Sequence, residues 1–292
     1  MQICDLHAHS TFSDGTCTPE ELVTLGLEAG LSALALSDHN NVDGLPRFLA
    51  AAEGTALKAV PAVELSTDYA PPGEPVRELH IVGLFIRPEH YGAVTKQAEQ
   101  LLYQKEQSNL RTLEALTKEG ICIDYWAIKA ATPGGLVNRA LIARAMMEKG
   151  YVASIQEAFD TWLHPKLGYY KEPSRLDVYE TLAFLRSIGS VPVLAHPFLN
   201  LKTPELVEGF LPGAIEAGLQ GMETRYCKFT PEQTACACAL ADRFDLLHSG
   251  GSDFHGANKP DIRLGTGRGD LEVPMALCEK LEIKYQENLN KQ

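Results

Sequence analysis

Short apolar runs alternate with longer amphipathic stretches along most of this chain, the rhythm of strands and helices taking turns. Gln2 to Leu6, Ser32 to Leu36, Leu57 to Val63 and Leu79 to Ile86 read as strands, and so do Ser190 to Ala195, Gly221 to Glu223 and Leu246 to Ser249. Between them fall helices. One starts at Thr18-Pro19-Glu20-Glu21, with Thr18 as N-cap, Pro19 in the first turn and Glu21 reaching back, and runs to about Gly30. Others cover about Val42 to Ala52, Ser174 to Ile188, Pro204 to Ala217, Pro231 to Phe244 and Glu272 to Asn288.

The middle breaks this rhythm. From Glu89 to about Gly168 the pattern is helical, with almost no strand signal. Glu89 to Glu119 reads as one long helix stopped at Gly120, Thr132 to Gly135 as a loop, and Val137 to Lys149 and Ser154 to Leu163 as short helices. Alternating strands and helices predict an α/β barrel built from residues 1–88 and 169–292. Residues 89–168 form an inserted helical subdomain, expected over the barrel mouth.

Composition narrows the partners. A formal net charge of −12 argues against charge-driven binding to long nucleic acid, while leaving room for a short nucleotide held locally. No apolar stretch approaches the roughly 20 residues of a membrane span. The start of the chain lacks the basic-then-apolar pattern of a signal peptide, and the odd count of seven Cys contains no Cys-x-x-Cys pair. A cytoplasmic protein with reduced thiols is the expectation.

The chemistry sits at strand ends. His7 and His9 follow the first strand two residues apart, so both imidazoles can face one point. Asp14, His39, Glu64, His196, Asp253 and His255 fall in or just after later apolar runs, and His80 opens one. Taken singly, His-x-His is an ordinary structural pair, Asp14-Gly15 a turn, Asp38-His39 a helix start, and His80 a core histidine. Together they describe a metal cluster at a barrel mouth, suited to metal-assisted hydrolysis of a phosphate ester. Mixed imidazole and carboxylate donors fit Mn, Zn or Fe.

The segments Leu6-His7-Ala8-His9-Ser10-Thr11-Phe12-Ser13-Asp14-Gly15, Ser37-Asp38-His39-Asn40, Val63-Glu64-Leu65-Ser66, Leu79-His80-Ile81-Val82-Gly83, Ala195-His196-Pro197 and Gly251-Ser252-Asp253-Phe254-His255-Gly256 resemble the PHP (polymerase and histidinol phosphatase) family, in its branch of small stand-alone phosphoesterases. The resemblance implies a distorted (β/α)7 barrel with a helical insertion and a centre of two or three divalent metal ions. It implies a first metal on His7, His9, Glu64 and Asp253, a second on Glu64, His80 and His196, and a third on Asp14, His39 and His255. The expected reaction is attack of a metal-activated hydroxide on phosphorus, with Asp253 accepting the water's proton and His196 or His255 as candidate acids. Arg139, in Asn138 to Arg144, resembles a substrate-facing Arg of such insertions, although Leu141 stands where a His is often found. Arg225, Arg144 and Lys171 are further phosphate-contact candidates, Arg144 and Lys171 having the alternative of solvated surface charges.

The expected substrate is a small sugar- or nucleotide-phosphate, of the nucleoside 3′,5′-bisphosphate or ribose cyclic phosphate type. Three alternatives stay open: an RNA 5′-end exonuclease, a metal-dependent hydrolase of a non-phosphate substrate, and a non-catalytic metal-binding module. Oligomeric state is not legible in the sequence.

Overall fold

The computed structural model describes residues 2–132, 137–171 and 173–291; the loop expected at Pro133 to Gly135 lies outside them. The chain divides into two compact units, residues 1–98 with 176–292, and residues 99–175.

The first unit is a barrel. Its strands are β1 (Cys4–Asp5), β2 (Ala33–Leu36), β3 (Lys58–Tyr69), β4 (Arg77–Leu84), β5 (Leu176–Asp177), β6 (Val191–Leu194), β7 (Gly221–Tyr226) and β8 (Leu247–Gly251). Seven of them follow one path, β1-β2-β3-β4-β6-β7-β8, and β5 pairs separately with β3. The path closes where the Leu6 N–H donates to the Gly250 carbonyl at 3.1 Å and Ala8 bridges to Phe254.

Alternation within the strands sorts the apolar residues into two layers. Leu34, Leu36, Val63, Leu65, Ile81 and Leu194 pack outward against the helices, among them Leu22, Leu45 and Phe48. Ala33, Ala35, Val60, Ala62, Val82, Leu84, Val191 and Val193 form a second cluster with Cys278 and Leu281 of the final helix. These small inner residues suit the narrow interior of a seven-strand barrel. The inward row matters for the site, because Val60 and Ala62 continue along β3 to Glu64, and Leu84 and Val82 continue along β4 to His80.

One strand runs against the others. β4 is antiparallel to both β3 and β6, whereas the remaining pairs on the path are parallel. Its beginning therefore lies at the barrel end where the parallel strands finish, which explains a histidine that opens its strand and still reaches that end. A second difference is β5, which occupies the start of the stretch expected to be helix. Asp177 ends β5 and caps the following helix Val178–Ser187 by accepting from the Tyr179 and Glu180 N–H groups. The helix Pro19–Glu28 has the expected capping box on Thr18 and Glu21.

The second unit has no strand among its described residues. The helix Tyr91–Lys118 runs into it and is followed by Tyr125–Ala131, Arg139–Glu148 and Ile155–Ala158, capped by Asp124, Asn138 and Ser154. Leu116, Ile142, Met146, Ala158 and Leu163 form its own small core. Among the described residues no helix is long and apolar enough to cross a membrane, and all seven cysteines are free thiols.

Candidate metal centre

At the mouth of the barrel one carboxylate is surrounded by five imidazoles. Glu64 is almost wholly buried; its Oε1 lies 2.9 Å from His80 Nδ1 and 3.0 Å from His196 Nε2. Its Oε2 lies 3.2 Å from His7 Nε2, 3.3 Å from His9 Nε2 and 3.0 Å from His39 Nδ1. Asp253 Oδ1 approaches His9 Nε2 at 3.3 Å and His7 Nε2 at 3.7 Å. Asp14, more than half exposed, reaches His255 Nε2 at 3.2 Å and lies 3.9 Å from both His9 and His39. All nine residues singled out in the sequence thus meet in one place. They fall into four overlapping groups with ligand atoms within 4.8 Å of one another: His9, Asp14, His39 and His255; His7, Glu64 and His196; His7, His9 and Asp253; and His39, Glu64 and His80.

The backbone is bent to deliver these side chains. Alternation would send His196 outward, since Leu194 belongs to the outer layer and Ala195 to the inner one. Instead His196 adopts φ +28° and Asp253 φ +55°, left-handed values unusual for residues with a Cβ. Gly251 passes so close to β1 that a Cβ there would lie 2.4 Å from His7 Cβ.

Buried carboxylates tie down the ligand-bearing loops, and the sequence pattern did not single them out. Asp5 accepts from the N–H groups of His7, Ser252 and Gly265 and from the Ser252 hydroxyl, joining β1 to the loop that carries Asp253. Asp38 accepts from the Ser10 N–H and from the Ser10 and Ser13 hydroxyls, fixing the loop between His9 and Asp14. Glu223 accepts from His7 Nδ1 at 2.8 Å and from the His196 N–H at 2.6 Å. Tyr226 and Lys259 both donate to Asp253 Oδ2, at 2.8 and 2.7 Å.

Three histidines share one arrangement. In His7, His196 and His255, Nδ1 is anchored on a fixed oxygen (Glu223 Oε1, Asn200 Oδ1 and the Asp253 carbonyl) and Nε2 faces the carboxylates of the centre. An Nδ1–H so held leaves the Nε2 lone pair directed inward, the usual tautomer of a metal-ligating histidine.

Electrostatics separate the members. Burial opposes ionisation of Glu64, yet the imidazoles of His7, His39 and His80 prevail and hold its carboxyl well below the usual range. Asp253 is likewise held low against its burial, by the close approach of His9 and the charge on His7. Burial also opposes charge on His7, His39 and His80, but Glu64 outweighs it and raises all three, His80 to about 10. Burial and the neighbouring His39 push His9 the other way, down to about 3, so its ring is neutral.

The donor set fits metal ions. His7 Nε2, both nitrogens of His9, His39 Nδ1 and Glu64 Oε2 are fully buried and lack a hydrogen-bond partner. Buried polar atoms left in this condition are costly, and here they are clustered and converge. Divalent ions held there would satisfy His7 Nε2, His9 Nε2 and Glu64 Oε2.

The phosphate-contact candidates are placed differently. Arg225 departs from the expectation. β7 carries a β-bulge between Glu223 and Arg225, where Glu223 pairs with Ser249 and Arg225 with Gly250. The extra residue, Thr224, lets Glu223 and Tyr226 both face the centre although they are three apart, and this turns Arg225 to the opposite side. Arg225 lines a groove of about 470 Å³ with Phe229, Thr234, Asp270 and Glu272, to which none of the nine contributes. Arg139, Arg144 and Lys171 belong to the second unit. The Arg139 guanidinium stacks over Tyr170 at 4.3 Å and donates to the Leu163 carbonyl. Arg144 lines a cavity between the helices Tyr125–Ala131 and Arg139–Glu148, and the Lys171 ammonium donates to the Gly168 carbonyl.

The proton-transfer candidates are also constrained. Asp253 Oδ2 already accepts from Tyr226 and Lys259, so ligation and proton acceptance would compete for Oδ1 alone. His196 and His255 each have Nδ1 anchored, so neither keeps a spare nitrogen for a leaving group once Nε2 binds metal.

Comparison with known proteins places this barrel. The PHP domain profile matches residues 5–165. A 5'-3' exoribonuclease of Haemophilus influenzae is 32% identical over 86% of this chain and 89% of its own length. The 3',5'-nucleoside bisphosphate phosphatase of Chromobacterium violaceum is 28% identical over 87% of this chain and 88% of its own. The solved structure of a candidate metal-dependent phosphoesterase from Bifidobacterium adolescentis superposes with a TM-score of 0.73 at 26% identity, covering 97% of this chain and 96% of that one. The chain belongs to the PHP domain family.

Proposed function

We propose that this chain is a metal-dependent phosphoric ester hydrolase acting on a small sugar- or nucleotide-phosphate. The observation that carries the reading is Glu64, a buried carboxylate whose two oxygens serve two sets of imidazoles, amid five buried atoms that lack a hydrogen-bond partner. Glu64 would contribute to two sites: His7, His9 and Asp253 would complete one, His80 and His196 a second, and Asp14, His39 and His255 would hold a third. Two or three divalent ions, Mn, Zn or Fe, would lower the pKa of a water and neutralise charge on phosphoryl oxygens.

The chain's own residues do the remaining work. Asp253 would act as a ligand through Oδ1, with Oδ2 fixed by the hydrogen bonds from Lys259 and Tyr226. Arg139 remains a candidate phosphate contact within its own unit: stacking on Tyr170 uses the face of the guanidinium, and of its in-plane donors one goes to the Leu163 carbonyl. A nucleoside 3',5'-bisphosphate, on which the Chromobacterium violaceum relative is named as acting, is a substrate of this class.

A second reading, release of nucleotides from RNA 5′ ends, is favoured by the 32% identity to an exoribonuclease. The net charge of −12 weighs against a long charged track for RNA. The deciding experiment reconstitutes the protein with Mn²⁺ and measures phosphate release from adenosine 3',5'-bisphosphate and 5-phosphoribose 1,2-cyclic phosphate, alongside mononucleotide release from a 5′-phosphorylated oligoribonucleotide. Turnover of either small ester supports the proposal. Turnover of the oligonucleotide alone replaces it with the second reading, and silence on all three with metal bound refutes both.

A further inference from the structure

We propose that Glu223 is the positioning residue for two candidate ligands at once, setting the tautomer of His7 and the backbone of His196. This rests on the metal-centre reading and not on the identity of the substrate.

Glu223 is 1% exposed, and its two oxygens are used on different strands' ends. Oε1 accepts from Nδ1 of His7, which follows β1, and Oε2 accepts from the main-chain N–H of His196, which follows β6. A carboxylate buried this deeply carries a large desolvation penalty, offset only where good donors surround it. Both donors here belong to one group of candidate ligands, His7, Glu64 and His196. The second bond also holds the left-handed turn of His196, without which alternation would point its ring away from Glu64. Met222 belongs to the outer layer, so alternation along β7 turns Glu223 inward to both.

The consequence is specific to the proton on His7. With Nδ1–H given to Glu223, the Nε2 lone pair faces Glu64 and Asp253. A glutamine at this position keeps the shape but has one acceptor and one NH2 donor. The His196 N–H cannot change, so the amide oxygen stays with it and the NH2 faces His7 Nδ1. His7 must then accept at Nδ1 and carry its proton on Nε2, the atom directed at the metal.

The test uses the full chain loaded with Zn²⁺ and has two readouts. In Glu223→Gln, affinity for the metal that uses His7 should fall by about 10- to 100-fold, the usual cost of losing such an outer partner. The site that uses Asp14, His39 and His255 should remain filled. In the unaltered protein, the imidazole ¹⁵N shifts of His7 should show Nδ1 protonated and Nε2 metal-bound, a result that needs no variant to fold. Unchanged metal affinity in the variant, or coordination of His7 through Nδ1, overturns the proposal. An unaltered protein that takes up no Zn²⁺ instead removes the metal-centre reading beneath it.

Discussion

Stripping metal from the barrel should cost it stability that its own contacts cannot replace. His7 Nε2, His9 Nδ1 and Nε2, His39 Nδ1 and Glu64 Oε2 are buried without hydrogen-bond partners. Without metal, His7 Nε2, His9 Nε2 and His39 Nδ1 all converge on the one oxygen Glu64 Oε2, at 3.0–3.3 Å. Binding of ions to the folded chain alone stabilises it by about 2.7 kcal/mol per site at a hundredfold excess over Kd. Two sites filled to that level give about 5 kcal/mol. At about 2–4 °C per kcal/mol, the Tm of the loaded barrel should stand about 10–20 °C above that of the chelated one. Differential scanning calorimetry with Mn²⁺ and then with excess EDTA reads this directly. Superimposable transitions, in protein shown by elemental analysis to have gained and lost the metal, would refute the assignment of these atoms as ligands.

Other outcomes follow from the same geometry. Asp253→Asn should lower turnover by orders of magnitude while keeping the fold, read by phosphate release and circular dichroism; near-normal turnover would remove Asp253 from the centre. Tyr226→Phe deletes one donor to Asp253 Oδ2 and should cost about 1.5–3 kcal/mol, measured by chemical denaturation, the range for a hydrogen bond to a charged group. Gly251→Ala would place a methyl 2.4 Å from His7 Cβ, and should weaken metal uptake in equilibrium dialysis more than it weakens the fold. Because Glu64 raises His80 to about 10, its ring is protonated at neutral pH without metal, and an ion must displace that proton. Metal affinity should therefore fall as pH falls, and the binding heat should vary with the buffer's ionisation enthalpy; a heat independent of buffer would refute proton release.

Much of this site is legible in the sequence because parallel strands end at one place. His7, His9, His39, His196, Asp253 and His255 all follow an apolar run, so position along the chain reports position in the barrel; Glu64 closes an apolar run too, although β3 continues past it to Tyr69. His80 reads awkwardly only because β4 is reversed, and strand direction leaves no mark in an apolar run. Glu223 carried a faint signal, a carboxylate inside a run otherwise expected to be buried. Tyr226 and Lys259 carried none, since a tyrosine at a strand end and a lysine in a loop are ordinary residues. The bulge at Thr224 left no mark in the sequence: it inserts one residue into the alternation of β7 and so sets the side that Arg225 faces. The partition of ligands among metals came from family resemblance, because spacing alone says nothing of which imidazole shares which carboxylate oxygen.

The left-handed backbone at His196 and Asp253 has a meaning for how such a chain can change over generations. Conformations of this kind cost about 1–3 kcal/mol each, and they persist because the side chains they aim are needed. The barrel thus gives up robustness to keep its chemistry. Mutation under selection for heat resistance alone, in the absence of metal, would relax positions 196 and 253 early. The descendant would be a sturdier barrel with the same outline and a weaker hold on metal.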